Sequence, residues 1–153
     1  HEDWADDWKP EAAKKIANAA ITKIGPNFDA ILASNDGTAG GAIQALTEEG
    51  LAGKIIVTGQ DADLAGCQRI VNGTQTMTVY KPLKLLTSQA AEVAVKLALR
   101  KPIIAKDSTD NGAGAVPSIL LDIVAVTKEN MSNTVIADGF RKREDVYQTV
   151  ESK

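Results

Sequence analysis

Short unbroken apolar runs alternate along this chain with stretches in which apolar residues recur every three or four positions. Asp29 to Ser34 (DAILAS), Lys54 to Thr58 (KIIVT) and Thr76 to Tyr80 (TMTVY) are runs of the first kind. Such runs suit strands of a parallel sheet, whose two faces are both covered. The helical spacing of the second kind starts at Pro10, a good first-turn residue, and covers Glu11 to Lys23, with Gly25-Pro26 as its stop. A helix over Gly37 to Glu49 follows, capped by Asn35 or Asp36 and ended by Gly50. Ala62 to Asn72 predicts the next, with Asp61 as a candidate cap and Gly73 at its end, and Pro82 opens a long helix to Arg100. Strand and helix in this alternation predict an α/β fold: an open parallel sheet with helices on both faces.

Beyond Lys101 the pattern loosens. Asn111 to Ala115 reads as a Gly/Ala-rich loop, Ser118 to Val126 as strand, and Lys128 to Ile136 and Lys142 to Glu151 as short helical turns. The helix after Pro82 carries Leu85, Leu86, Ala90, Val93, Ala94, Leu97 and Ala98, more apolar surface than one sheet face covers. A second lobe outside this chain is a natural place for it to pack.

At 153 residues the chain is one domain's worth, and 44% apolar with 24% charged residues is the balance of an ordinary globular domain. A core of that size stands without disulfides or metals. The formal net charge of -3, with no Lys/Arg block, argues against nucleic acid as a partner. No apolar run approaches the roughly 18–20 residues that span a bilayer. Cys67 is the only cysteine, so no internal disulfide exists, which leaves the compartment open. The start at His1-Glu-Asp-Trp, without Met, suggests a processed or truncated end.

In open α/β sheets, ligands bind beyond the carboxyl ends of the strands. Asn35-Asp36 follows the first strand, Gly59-Gln60-Asp61 the second and Lys81 the third. With strands about 4.8 Å apart, Asn35, Asp61 and Lys81 are expected to converge on one small ligand. An amide, a carboxylate and an ammonium suit a ring of hydroxyls, each of which both donates and accepts. Gly37, Gly40 and Gly41 would keep side-chain bulk away from the helix start. Taken singly, Asn35 or Asp36 reads first as a plain helix cap, Asp61 serves as one likewise and Lys81 as a solvated cation; it is their meeting at one sheet edge that favours a site.

Both tryptophans, Trp4 and Trp8, fall in the first eight residues. A core role is expected for one, while Trp8, just before the Pro10 helix, is the candidate for stacking on a sugar ring. Asp3, Asp6 and Asp7 match no complete calcium loop and read as solvated charges. No metal or cofactor is implied. Walker, dinucleotide-binding and nucleophile-elbow motifs are missing, and the one histidine is terminal, so an enzyme is not expected. An Asp61/Lys81 pair for Schiff-base chemistry lacks an apolar pocket to lower the lysine's pKa.

The same residues carry a resemblance. Ala33 to Leu46 (ASNDGTAGGAIQAL), Gly59 to Gly66 (GQDADLAG) and Gly73 to Pro82 (GTQTMTVYKP) resemble bacterial periplasmic sugar-binding proteins, most of all the D-xylose-binding group. Trp4 to Glu11 and Val135 to Phe140 resemble that group too, so the likeness runs over nearly the whole chain. The resemblance implies a two-lobed protein closing on a monosaccharide, D-xylose, of which residues 1–153 are the C-terminal lobe. It implies that Asn35, Asp61 and Lys81 hydrogen-bond the sugar and that Trp8 stacks on it. It implies an N-terminal lobe, absent here, that supplies further ligands and receives the helix of about 82–100. It further implies an extracytoplasmic place, in the periplasm or anchored as a lipoprotein. The partner it implies is an ABC permease or the ectodomain of a two-component sensor histidine kinase. The alternative from another class is the effector-binding core of a sugar-responsive repressor, which shares the fold and the Asn-Asp motif; a sugar-converting enzyme is the third.

Overall fold

The computed structural model describes residues 1–148. The chain divides into two units, one of residues 1–80 and 124 onward, the other of residues 81–123.

The first unit begins with a short 3-10 turn, Asp6–Trp8, and then α1, Pro10–Ile24. Pro10 opens that helix with a φ already set for it and no N–H to orphan. Strand β1 (Ala30–Ile31), helix α2 (Asp36–Glu48), strand β2 (Ile56–Val57), helix α3 (Leu64–Asn72) and strand β3 (Thr78–Tyr80) follow in order. β1 and β2 pair in parallel, Ala30 with Ile56 and Ile31 with Val57. The parallel arrangement continues where Gln60 bridges Val79 and where the Thr76 and Val79 amides donate to the Val57 and Gly59 carbonyls. All three strands lie within the segments expected from the apolar runs, but are shorter.

Two corrections concern the later chain. The segment 118–126 is not one strand: β5 (Ala115–Ser118) ends where it begins, and β6 (Val124–Val126) belongs to the first unit. β6 pairs with β3 antiparallel, so the sheet is parallel with an antiparallel addition. The second correction is a hairpin within 107–118, unforeseen because its strands are exposed along nearly their whole length and carry no apolar alternation. After β6 a 3-10 turn, Met131–Asn133, and a short helix, α5 (Arg143–Val146), complete the unit. The helical turn expected over 142–151 is thus one turn as far as it is described; its residues 149–151 lie outside the described residues.

Its core falls into two main clusters. Ala39, Ile43, Leu46, Ile55 and Val57 fill the space between α2 and β2. Ala62, Cys67, Ile70, Tyr80, Val126, Met131, Val135 and Val146 gather α3, the β3–β6 pair and the C-terminal turns. Buried alanines, Ala17, Ala42 and Ala45, line the close α1–α2 contact. There, a Cβ on Gly41 would run into the Pro10 carbonyl, so that helix crossing demands glycine.

The second unit holds α4 (Leu83–Ala98) and the antiparallel hairpin of β4 (Asp107–Asp110) and β5 (Ala115–Ser118). The Asn111 to Ala115 loop is the turn of this hairpin, where Asn111 Oδ1 accepts from the Ala113 and Gly114 amides. None of residues 81–123 is buried. Leu86, Val95, Leu97 and Leu99 of and around α4 are exposed, Leu97 by 62%. Within this unit Leu86, Ala90, Val93, Leu97, Ile103 and Ile119 line an open apolar groove of about 620 Å³. No helix among the described residues is long and apolar enough to cross a membrane.

Candidate functional site

The loops after β1 and β2 meet through the main chain: the Asp36 amide donates to the Gln60 carbonyl at 2.9 Å. Asn35 settles at the N-cap of α2. Its Oδ1 accepts from the Thr38 amide at 2.9 Å and the Thr38 hydroxyl at 2.8 Å, and that hydroxyl accepts from the Asn35 amide at 3.2 Å. This capping box occupies the amide oxygen, so the polar group that Asn35 turns to other use is Nδ2, with two donors.

Asp61 does not cap α3. The helix starts three residues later behind Asp63, whose side chain makes no cap bond. Asp61 and Ala62 instead turn through the left-handed region, with φ of 95° and 50°. A non-glycine residue there is strained and stays only where its surroundings hold it. Four bonds hold this turn. The Asp61 amide donates to the Val79 carbonyl at 2.9 Å, the Ala62 amide to the Thr78 hydroxyl at 3.1 Å, and the Asp63 amide to Asp36 Oδ2 at 2.8 Å. From the C-terminal segment, Arg141 Nε donates to the Ala62 carbonyl at 2.8 Å, its guanidinium lying over the Phe140 ring.

Trp8 reaches the same end of the unit. A Cβ built on Gly37 would stand 3.6 Å from Asn35 Oδ1 and 3.8 Å from the Trp8 carbonyl, so both flank one spot beside the α2 N-terminus. Trp8 is 65% exposed and Trp4 83%, so the expected core role holds for neither. Trp8 follows Asp7 at φ 52° and takes φ 52° itself, two consecutive non-glycine residues in the left-handed region. Gly37 alone of the three glycines borders Asn35. Gly40 makes room for the Arg69 guanidinium and Gly41 for Pro10, which corrects the expectation that all three clear a ligand's approach.

Lys81 follows Tyr80 of β3 directly and is the first residue of the second unit. Within the first unit, then, Trp8, Asn35 and the Asp61 turn stand at one end. Among the described residues no three His, Cys, Asp or Glu side chains gather to hold a metal ion.

Asp36 is what the sequence reading passed over. It appears there only as an alternative cap, yet it is 1% exposed and its carboxylate bonds outward, away from its own helix. Oδ1 accepts from Gln75 Nε2 at 2.7 Å and Oδ2 from the Thr78 hydroxyl at 3.0 Å. Gln75 Oε1 accepts from Arg69 Nε at 3.0 Å, and Arg69 Nη2 donates to the Asp36 carbonyl at 2.6 Å. Burial pushes the Asp36 carboxyl above its ordinary range, opposed by the bonds from Gln75, Asp63 and Thr78. Burial also draws the Arg69 guanidinium down, opposed by Asp36 and Asp63. Asp36 and Gln75 were each visible as polar residues bordering apolar strand segments. Their pairing was not.

The description "Periplasmic binding protein domain" fits a family model matched over residues 2–102. The chain belongs to this family. Over 144 residues it is 53% identical to the D-xylose-binding periplasmic protein of Haemophilus influenzae, and over 143 residues 52% identical to that of Escherichia coli. Each alignment covers 94% of this chain and 43% of the relative. A carbohydrate transporter solute-binding protein from Chloroflexus aurantiacus, solved with D-glucose, superposes with a TM-score of 0.82 at 33% identity. That match covers 91% of this chain and 42% of the other. This periplasmic-binding-protein chain spans less than half the length of the relatives it matches.

Proposed function

We propose that this chain is the C-terminal lobe of an extracytoplasmic monosaccharide-binding protein whose ligand is D-xylose. The observation that carries the reading is the meeting, at one end of the first unit, of Trp8, Asn35 and the Asp61 turn. Asn35 offers Nδ2 donors and Asp61 a carboxylate, while the exposed Trp8 face offers an apolar plate for the C–H side of a ring. Lys81 joins them as the fourth ligand on the strength of the resemblance. D-xylose is favoured over other sugars by the two relatives named for it, at 52% and 53% identity. Binding without turnover is what the family supports.

A lobe of this kind offers half a site. The other half comes from an N-terminal lobe on the same polypeptide, which also covers the apolar side of α4. Closure of the two lobes on the sugar creates the state that a partner reads. That partner is an ABC permease, the transporter context that the names of related solved proteins support; a sensor kinase ectodomain would read the same closed state.

Calorimetric titration of D-xylose, with ribose, arabinose and glucose as controls, into the full-length protein and into residues 1–153 tests the reading. Tight binding of D-xylose by the full-length protein and little by the fragment is expected. Equal affinity in both would refute the half-site, and binding of none of the four sugars by the full-length protein would refute the ligand.

A further inference from the structure

The geometry points to Asp36 as a positioning residue for the sugar site: its buried carboxylate clamps the 61–63 turn and so aims Asp61 at the ligand. This inference rests on the proposed binding role of Asp61.

The α2 N-terminus is already capped by Asn35, so the cap does not require the Asp36 carboxylate. That carboxylate instead makes bonds to three segments far along the chain. It takes the Asp63 amide directly, and it takes the Thr78 hydroxyl, which in turn receives the Ala62 amide. The links end on the Ala62 and Asp63 amides, directly after the positive-φ pair Asp61–Ala62, a turn that left to itself would relax. Asp36 is itself held in place by Gln75, which Arg69 fixes through its other end, and by its own amide on Gln60. The surrounding chain makes room for this carboxylate, and at Gly59 for the Gln75 amide that meets it. A Cβ on Gly59 or on Gly66 would collide with Asp36 carboxylate atoms. Both glycines lie in ordinary backbone conformations, so the space, not the torsion, is what they provide. Among the described residues no buried side-chain nitrogen or oxygen lacks a partner, and removing one member of the set therefore orphans another.

The test is D-xylose titration into variants of the full-length protein, well below each variant's melting temperature. Asp36→Asn turns an NH2 toward Gln75 or toward the turn and should lower affinity at least about tenfold. Gln75 cannot flip to compensate without releasing Arg69. The paired change Asp36→Asn with Gln75→Glu restores the pattern: the oxygen of the introduced amide serves the turn, and its NH2 meets a carboxylate that still receives Arg69. Affinity in the pair should return to within about threefold of wild type, though the bond from Gln75 to the Met77 carbonyl is lost. A residue that merely stabilises the fold would shift the melt without this fall and recovery. Thr78→Val, nearly isosteric, should lower affinity about threefold or more, and it decides the matter if the Asp36 variant does not fold. Asp61→Ala separates the two ideas. Loss of binding there with wild-type affinity in a folded Asp36→Asn or Thr78→Val overturns the positioning role alone. Wild-type affinity in Asp61→Ala removes the site itself, and this inference with it.

Discussion

Asn35 serves two purposes through two atoms, and a substitution can part them. Serine matches asparagine as a cap but has no amide NH2. Asn35→Ser should therefore hold unfolding stability within about 0.5 kcal/mol while losing about 1–2 kcal/mol of D-xylose affinity; Asn35→Ala should lose about 1 kcal/mol of stability besides. Urea titration and calorimetry on the same full-length variants read the two effects, and full affinity in Asn35→Ser would leave Asn35 a cap only. Cys67, fully buried, has a thiol pushed up from 9.0 to about 11 by desolvation, with Asp36 adding to the shift. Its folded pKa lies above its unfolded one, so the folded state keeps the proton longer. Stability is then undiminished below pH 9 and declines as pH rises from about 9 to 11, by about 2–3 kcal/mol at most for this group. Comparing the slope of unfolding free energy over that range with that of Cys67→Ala isolates the contribution; identical slopes would refute it. The thiol's burial was not legible from its position in the sequence, because a cysteine at helical spacing reads alike on either face.

At the scale of elements, the apolar pattern located α1, α2, α3 and α4 to within a few residues and put all three parallel strands in their segments. Strand–helix periodicity is a local property, and it survives in one dimension. Where it failed, no local apolar signal was available or a tertiary contact overrode the local one. The hairpin of β4 and β5 is exposed and irregular in polarity, and the start of α3 was set by the turn at Asp61, not by capping preference. Gly41 offers a sign test of local against tertiary physics. Glycine in a helix interior costs about 1 kcal/mol relative to alanine, so propensity alone predicts that Gly41→Ala stabilises. The Pro10 carbonyl stands where that methyl would go, and the α1–α2 crossing must open to admit it. Destabilisation of about 1–3 kcal/mol is expected instead, read as a lower urea midpoint with an unchanged slope. A variant more stable than wild type would mean that the helices separate without penalty.

For the whole molecule, the division at Tyr80 has a thermodynamic consequence. The chain leaves the first unit after Tyr80 and returns at Val124, and these two residues are partners across β3 and β6. The intervening 81–123 segment contains no buried residue, so little apolar burial opposes its opening. In residues 1–153 alone, α4 amides should exchange with solvent at least about tenfold faster than α2 amides, under conditions where the first unit is intact. In the full-length protein the α4 amides should slow toward those of α2, if a second lobe covers that helix. Equal protection of α4 in both would show that it needs no such cover. The sequence by itself determined the alternation of strand and helix, the strand-end positions of Asn35 and Asp61, and an excess of apolar surface on α4. Each follows from the spacing of residues along the chain. Only the tertiary structure decided which atoms of Asn35 are committed to the cap, that both tryptophans are exposed, and that Asp36, Gln75, Thr78 and Arg69 meet. Those four come from α2, β3, α3 and the loop between, up to 42 positions apart. A hydrogen bond depends on a few tenths of an ångström between side chains that no periodicity relates.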